Sequence, residues 1–315
     1  MFVKRLQNPT KLYIGQCTLF LAALILIFTF STPFFFSLTN LSTILMASSV
    51  IGFLALGATF VIASGGIDLS SGAVLALTSC VCALLLQHTQ LSFPLVGLLT
   101  LAAGAICGGL TGFLINLTKA PSIIVTLGMM SIVRAAGYIL TDGTPVYGLP
   151  EDLANFAQEV WCGLPNPITL LIAGVVGAHL LLSKTCFGTR TLIMGDNEEA
   201  AASMGIPTGW MKIKIFALAG VFSSLAGLIF TLRTNAGDPA AGLGYELIGI
   251  TAVILGGANL SGGRASIFGS LLGVLCLGVL QNGMNLLGIS SYFQILFIGI
   301  VLLAASFLSR FGGRV

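Results

Sequence analysis

Ten long apolar runs dominate this chain and leave it few possible folds. Most approach the ~20 residues that a helix needs to cross a lipid bilayer. Only 7% of the residues are charged, whereas soluble domains contain roughly 25%. The sequence therefore predicts an all-α integral membrane protein with about ten transmembrane helices, organised as one polytopic domain over residues 1–315. The runs lie at residues 12–31, 41–64, 73–87, 92–117, 121–140, 166–183, 212–232, 245–258, 266–288 and 291–309.

The basic residues are distributed unevenly between the loops, and this predicts the orientation. If the N-terminus is cytoplasmic, an even number of crossings returns the C-terminus to the cytoplasm. Eleven of the 13 Lys and Arg residues then lie in cytoplasmic segments. The apolar stretch at 12–36 is too long for the core of a cleaved signal peptide, so we expect it to remain as the first span.

A glycine-rich octapeptide occurs twice and would interrupt the helices at both places. Gly65–Gly72 (GGIDLSSG) returns 191 positions later as Gly256–Gly263 (GGANLSGG), and an apolar run ending in Val-Ile precedes each copy. Backbone that leaves a helix inside a bilayer must be satisfied by protein or water. Paired breaks in the two halves of a membrane protein are typical of transport pathways. Transport is therefore the leading functional hypothesis.

The longest predicted cytoplasmic segment, 184–214, contains signals for a compact helix at about 197–204. Asp196 suits the N-cap, Glu199 completes a capping box, and Gly205 suits the position after the last helical residue. The small apolar face of this helix suits insertion into a groove on another protein, although a well-capped surface loop explains the signals equally well. That face consists of Ala200, Ala201 and Met204.

The acidic segment 141–165 is predicted to be periplasmic. Pro150 before Glu151 and Asp152 indicates the start of a helix, and apolar residues follow at helical spacing. We expect a short amphipathic helix that either covers the bundle or docks a partner. Its apolar residues are Leu153, Phe156, Ala157 and Val160.

The polar residues expected at membrane depth are nearly all neutral. Gln281 and Asn285 are four residues apart and can face one cavity, although hydrogen bonds between helices are the alternative role for each amide. A neutral pathway suits an uncharged, hydroxyl-rich solute, because an ion-coupled carrier is expected to place acids or histidines in its spans. The candidate pathway residues are Asn116, Gln281, Asn282, Asn285, Tyr292, Phe293 and Gln294.

Two charged residues complete the candidate pathway. Asp68 either caps the helix that starts near Ser70 and Ser71 or forms part of a gate, and a stand-alone ion- or proton-coupled carrier would use it as the ion site. Arg134 is costly in lipid, so it either faces protein, water or an acid such as Asp142, or it contacts the solute.

The remaining chemistry-bearing residues predict neither an enzyme nor a metal site. Seven cysteines and two histidines lack the spacing of a zinc site. No nucleophile–base pattern is visible, and no feature indicates nucleic acid as a partner.

Five motifs occur in order along most of the chain, from about residue 40 to residue 300. They are Gly65–Ser70, Pro121–Gly128, Asn197–Ile206, Gly244–Leu247 and Leu255–Arg264. Together they resemble the ribose/xylose/galactose-type permeases of bacterial ABC importers. The chain departs from that pattern at Ile248, where the family commonly has Asp, so the resemblance does not specify which sugar is carried.

The resemblance implies a permease of the bacterial inner membrane that imports a neutral sugar or a similar polyhydroxylated solute by alternating access. It implies three protein partners: a cytosolic ATP-binding subunit, a periplasmic solute-binding protein, and a second permease copy or paralogue. The chain itself lacks a phosphate-binding loop, so ATP and Mg would bind to the partner ATPase and no cofactor is expected here. The coupling residues that it implies are Asn197, Glu198, Glu199, Ala200, Ala201, Met204, Gly205 and Ile206.

Overall fold

The computed structural model describes residues 9–150, 153, 155–161 and 163–312, and most of them are helical. In chain order the helices are α1 (Pro9–Ser31), α2 (Leu38–Ala63), α3 (Ser71–His88), α4 (Phe93–Thr118), α5 (Ser122–Leu140), α6 (Asn166–Lys184), α7 (Cys186–Asp196), α8 (Glu198–Ser203), α9 (Thr208–Thr234), α10 (Tyr245–Leu255), α11 (Ile267–Leu286) and α12 (Ser291–Gly312). Short antiparallel pairs join β1 (Val146–Tyr147) to β4 (Ala236–Gly237) and β2 (Val160–Trp161) to β3 (Leu164–Pro165).

Eight helices within the described residues are long and apolar enough to cross a membrane. They are α1, α2, α3, α4, α5, α6, α9 and α11. This confirms the predicted all-α integral membrane fold. The predicted crossing at 291–309 lies within α12, which has 22 residues and is apolar over Ser291–Ala304.

The predicted crossing at 245–258 is wrong in length. α10 has 11 residues, and at ~1.5 Å per residue it covers roughly half of a ~30 Å hydrocarbon core. The preceding segment, 235–244, is not helical, because Pro239 lacks a backbone donor and Gly242 and Gly244 adopt φ angles of 67° and 80°. That segment packs along α3 instead.

The first glycine-rich break ends α2 with a complete set of backbone hydrogen bonds. Gly65 has a φ angle of 82°. Its amide donates to the carbonyl of Ile62 at 2.9 Å, and the amide of Gly66 donates to that of Val61 at 3.0 Å. This is the Schellman arrangement, which pairs carbonyls that the helix end leaves free. A residue other than glycine at position 65 would be strained.

The second break repeats this arrangement after α10. The glycine with the positive φ angle is the first residue of the octapeptide in the first break and the second residue in the second break. Gly257 has a φ angle of 90°. Its amide donates to Ile254 at 2.9 Å, and that of Ala258 donates to Val253 at 3.2 Å. Gly257 is therefore the structural equivalent of Gly65, at a separation of 192 residues rather than 191. Between this glycine and the Asp or Asn of the octapeptide, the first break has two residues and the second has one.

The two breaks lie against each other. The amide of Gly263 donates to the carbonyl of Ala63 at 3.0 Å, which joins the second break to the last residue of α2. Gly262 has no room for a side chain, because a Cβ there would lie 2.8 Å from the Cα and N atoms of Gly65. The two halves of the repeat therefore meet in one backbone contact.

Helices α2 and α9 form the centre of the bundle. Phe60 of α2 and Phe222 of α9 stack with ring centroids 6.2 Å apart. α9 also packs on α4 with backbone against backbone, because Gly104 and Gly108 of α4 face Gly220 and the turn of α9 before it. Close approach through small residues is typical of helix packing in membranes.

The segment between α5 and α6 differs from its prediction. The described residues 155–158 form turns, and Val160 belongs to β2 rather than to a helix, so the predicted helical face does not extend to Val160. Leu153 and Phe156 pack onto the bundle. The remainder of the predicted helix start, Glu151 and Asp152, lies outside the described residues.

Replacing Gly108 by alanine should lower the free energy of unfolding by about 1–3 kcal/mol, because the added methyl group overlaps the backbone of α9. Gly97 on the same helix is the matched control, since a Cβ there meets no atom within 4 Å. Gly97→Ala should be neutral or stabilising by up to ~1 kcal/mol through helix propensity. Thermal unfolding of the detergent-solubilised protein measures both, and equal effects would contradict the packing of α4 on α9.

Candidate functional site

A polar cavity of about 350 Å³ lies between α2, α10 and α11, with the end of α9 and the start of α12 at its edge. It contains four of the nine predicted pathway residues: Gln281, Asn282, Asn285 and Gln294. The complete lining is Thr43, Ile44, Ala47, Ser48, Ile51, Arg233, Tyr245, Ile248, Val274, Leu277, Gly278, Gln281, Asn282, Asn285 and Gln294.

Three of the four predicted amides in the cavity are bound to other side chains. Asn282 and Asn40 exchange two hydrogen bonds of 2.9 and 3.0 Å, which join α11 to α2. Gln294 donates to Asn285 Oδ1 at 2.6 Å, which joins α12 to α11. Gln281 makes no side-chain hydrogen bond to the described residues. The predicted polar stripe therefore combines helix packing with one amide that can contact a solute.

Sequence reasoning missed four polar residues of the cavity, namely Thr43, Ser48, Arg233 and Tyr245. Ser48 is 2% exposed. Arg233 is exposed, and its Nη1 donates to the carbonyl of Met46 at 3.2 Å. The one available signal was the Ser48-Ser49 pair within the apolar run of α2, because two hydroxyls at membrane depth need partners or a function.

Asp68 is buried in the first break and holds a local turn. Its Oδ1 accepts hydrogen bonds from the amide and the hydroxyl of Ser70, at 2.8 and 2.6 Å. In the second break, Asn259 Oδ1 accepts from the amide of Ser261 at 3.2 Å. Burial raises the pKa of the Asp68 carboxyl, and the bonds from Ser70 act in the opposite direction. Asp68 thus binds the N-cap residue of α3 rather than capping α3 itself.

Arg134 does not meet Asp142, the acid suggested by the sequence. Its Nη1 donates to the carbonyls of Pro239 at 3.0 Å and Ala241 at 2.5 Å. These carbonyls belong to the non-helical segment before α10, which lacks internal helical hydrogen bonds. A guanidinium group carries several donors in a fixed geometry and can satisfy more than one carbonyl. Its contacts fit a role in holding this segment, and it does not line the cavity.

Three further predicted pathway residues lie away from the cavity. Asn116, near the end of α4, lies against Gly209 at the start of α9. Tyr292 and Phe293 are 84% and 58% exposed on α12. None of these three residues lines the cavity.

Helix α8 is the compact helix predicted in segment 184–214, and its N-cap is one residue later than expected. Asn197 Oδ1 accepts from the amide of Ala200 at 2.9 Å. Asp196, the predicted N-cap, is instead the last residue of α7, a helix that the sequence analysis did not predict. Gly205 follows α8 with a φ angle of 80°, as its predicted position requires.

α8 exposes only part of the predicted partner face. Met204 is 64% exposed and Ala200 is also exposed, but Ala201 is fully buried against the core of this chain and cannot contact a partner. Glu198 forms an ion pair with Lys212 of α9 at 2.6 Å, which fixes α8 to the start of α9. Of the other residues predicted to couple, Glu199 and Gly205 are exposed and Ile206 is half-buried.

The end of α7 connects α8 directly to the two breaks. Gly195 lies against the carbonyl of Ala63 and the amide of Gly263, with no space for a Cβ. Gly262 has no space for one either, because it lies against the carbonyl of Gly195. We call Ala63, Gly195, Gly262 and Gly263 the glycine junction. These contacts involve backbone atoms, so the end of α7 touches both breaks directly.

Comparison with known proteins gives consistent matches over most of the chain. Residues 40–306 match the family described as branched-chain amino acid transport system / permease component. The chain is 41% identical over 289 residues to the ribose import permease protein of Bacillus subtilis, covering 91% of this chain and 89% of that protein. It is 39% identical over 283 residues to the L-arabinose transport system permease protein of Escherichia coli, covering 89% and 85%. No solved structure gives a significant match.

A double-mutant cycle on Asn40 and Asn282 should give a coupling energy of about 0.6 kcal/mol, the average for hydrogen bonds between membrane helices. The expected sign is stabilising, because each side chain both donates to and accepts from the other. Asn40→Ala, Asn282→Ala and the double variant would be compared by thermal unfolding in detergent. Strict additivity of the two single changes would contradict a packing role for this pair.

Proposed function

The chain belongs to the family of branched-chain amino acid transport system permease components, and we propose that it is the membrane subunit of an ABC importer for a monosaccharide or a similar neutral polyhydroxylated solute. As a member of this family it is a multi-pass protein of the bacterial inner membrane. The observation that carries the choice of solute is the cavity, whose polar lining is almost entirely neutral.

The lining favours a sugar over an amino acid. Of the described residues that line the cavity, Arg233 alone is charged, and no carboxylate faces the ammonium group that an amino acid carries. Neutral amides and hydroxyls both donate and accept hydrogen bonds, as sugar hydroxyls do. The volume of about 350 Å³ lies within the ~300–1,000 Å³ range of small-molecule sites. The ribose and arabinose permeases among the relatives support the same choice.

We infer that energy comes from a separate ATPase that docks at α8. The sequence contains no phosphate-binding loop, whereas α8 is a capped helix that exposes Met204 and the acidic Glu199. On this account the surface that carries α8 is cytoplasmic, as the distribution of basic residues predicts. A solute-binding protein on the opposite side and a second permease subunit complete the importer.

The glycine junction offers a route from the ATPase to the pathway. ATP-driven movement of α8 would be transmitted through Gly195 to Ala63 and Gly263, where α2 and the second break are joined by a hydrogen bond. Because α2, α10 and α11 also form the walls of the cavity, a shift at the junction changes the cavity. This route supports alternating access of the cavity to the two sides of the membrane.

Docking at α8 can be tested by affinity purification from the native host. Gly205→Arg places a long charged side chain beside Met204 at a residue with a φ angle of 80°. Gly205→Asn is the matched control, because asparagine tolerates this conformation. We expect an ATP-binding subunit to co-purify with the wild type and the Asn variant and to be lost from the Arg variant. Retention by the Arg variant, or no ATPase with the wild type, would contradict the proposal.

Coupling through the glycine junction can be tested with Gly195→Ala. The added methyl group overlaps backbone atoms of Ala63 and Gly263, at a strain of about 1–3 kcal/mol. We expect the ATPase still to co-purify while ATP-driven uptake of D-ribose falls severalfold. Gly177→Ala on α6 is the control, since a Cβ there meets no atom within 4 Å. Wild-type uptake by the Gly195 variant would exclude this route.

A further inference from the structure

One buried hydroxyl in the cavity is left without a hydrogen bond. Ser48 is 2% exposed, and its Oγ has no hydrogen-bond partner among the described residues. Buried hydroxyls in helices usually donate to a carbonyl three or four residues earlier. The neighbouring Ser49 does this, donating to Met46 at 2.7 Å, and so does Thr59 on the same helix, donating to Ala55 at 2.6 Å. Ser48 therefore differs from Ser49 and Thr59, the other two buried polar residues of α2.

The hydroxyl of Ser48 is covered by α11 at the wall of the cavity. Gly278 of α11 lies opposite, and a Cβ at Gly278 would overlap Ser48 Oγ. The hydroxyl thus sits over bare backbone instead of beside a polar side chain. Gln281, three residues further along α11, lines the same cavity and also lacks a side-chain partner among the described residues. One hydroxyl and one amide without side-chain partners among the described residues therefore line the same cavity on facing helices.

An unpaired buried hydroxyl is unfavourable unless another group completes its hydrogen bond. Ser48 lines the cavity, so a solute in the cavity would reach its hydroxyl through a small displacement of α11 at Gly278. A solute with its own hydroxyl groups can both donate to and accept from Ser48 Oγ. A site arranged in this way discriminates against analogues that lack the matching hydroxyl.

We propose that Ser48 Oγ is a specificity-determining contact that hydrogen-bonds one hydroxyl of the solute as it passes through the cavity, and that Gly278 keeps the space which this contact requires. This inference rests on the proposed import function and assigns solute recognition to one residue. It separates Ser48 from Asn282 and Asn285, whose amides already bind other helices.

The test uses the importer reconstituted in proteoliposomes with its ATPase and solute-binding protein. Uptake of radiolabelled D-ribose is compared with uptake of its 2-deoxy, 3-deoxy and 5-deoxy analogues. The ratio between variant and wild type is taken for each sugar, so that discrimination by the unchanged binding protein cancels. We expect Ser48→Ala to reduce D-ribose uptake roughly tenfold, the effect of one lost hydrogen bond. The reduction should disappear for the one analogue that lacks the hydroxyl read by Ser48.

Ser49→Ala is the control, because the Ser49 hydroxyl is already paired within α2 and lies next to Ser48. Thermal unfolding distinguishes a solute contact at Ser48 from a packing role. Ser48→Ala removes an unpaired group, so its unfolding temperature should equal or exceed that of the wild type, whereas a packing residue would lower it.

The results distinguish a failure of the Ser48 contact from a failure of the proposed import function. If the wild type imports D-ribose and Ser48→Ala either imports it equally well or loses all the sugars to the same extent, the contact at Ser48 is wrong while the import function stands. If the wild type imports none of D-ribose, L-arabinose and D-allose, the proposed function fails, and the contact at Ser48 fails with it.

Discussion

A helix end leaves backbone carbonyls without partners in the helix, and in a membrane protein these must bind protein or water because lipid offers no hydrogen bonds. This protein satisfies them in the same way twice, with a Schellman arrangement after α2 and after α10. It then joins the two breaks through the bond from Gly263 to Ala63. The half-length α10 and the close approach of α7 are both arranged around this contact. The structure is therefore organised by its helix ends as much as by its spans.

Much of the fold could be predicted from the sequence because its signals are local or compositional. Apolar runs identified the spans, and the paired octapeptides located both breaks. Gly205 located the end of α8. The partner of Arg134 could not be predicted in this way, because the carbonyls of Pro239 and Ala241 become available only when residues 235–244 fail to form a helix. The one-residue difference between the breaks also depends on three-dimensional hydrogen bonding.

The candidate site shows a sharper limit of sequence reasoning. A polar residue in a span can either bind another helix or face a pathway, and its sequence does not distinguish the two. Asn282 binds Asn40, whereas Gln281, the adjacent residue, has no such partner among the described residues. Ser48 looks like Ser49 in the sequence and differs from it only in where its hydroxyl is directed. Prediction therefore found the right stretch of α11 but not the residues that remain available.

Transport through the cavity depends on an external energy source in the proposed importer, and this dependence can be measured directly. Proteoliposomes containing the permease would be assayed for D-ribose uptake with and without the ATPase, enclosed ATP and the solute-binding protein. The account predicts uptake only when all three are present. Uptake by the permease alone under a proton or sodium gradient, abolished by Asp68→Asn, would contradict it and identify a gradient-driven carrier.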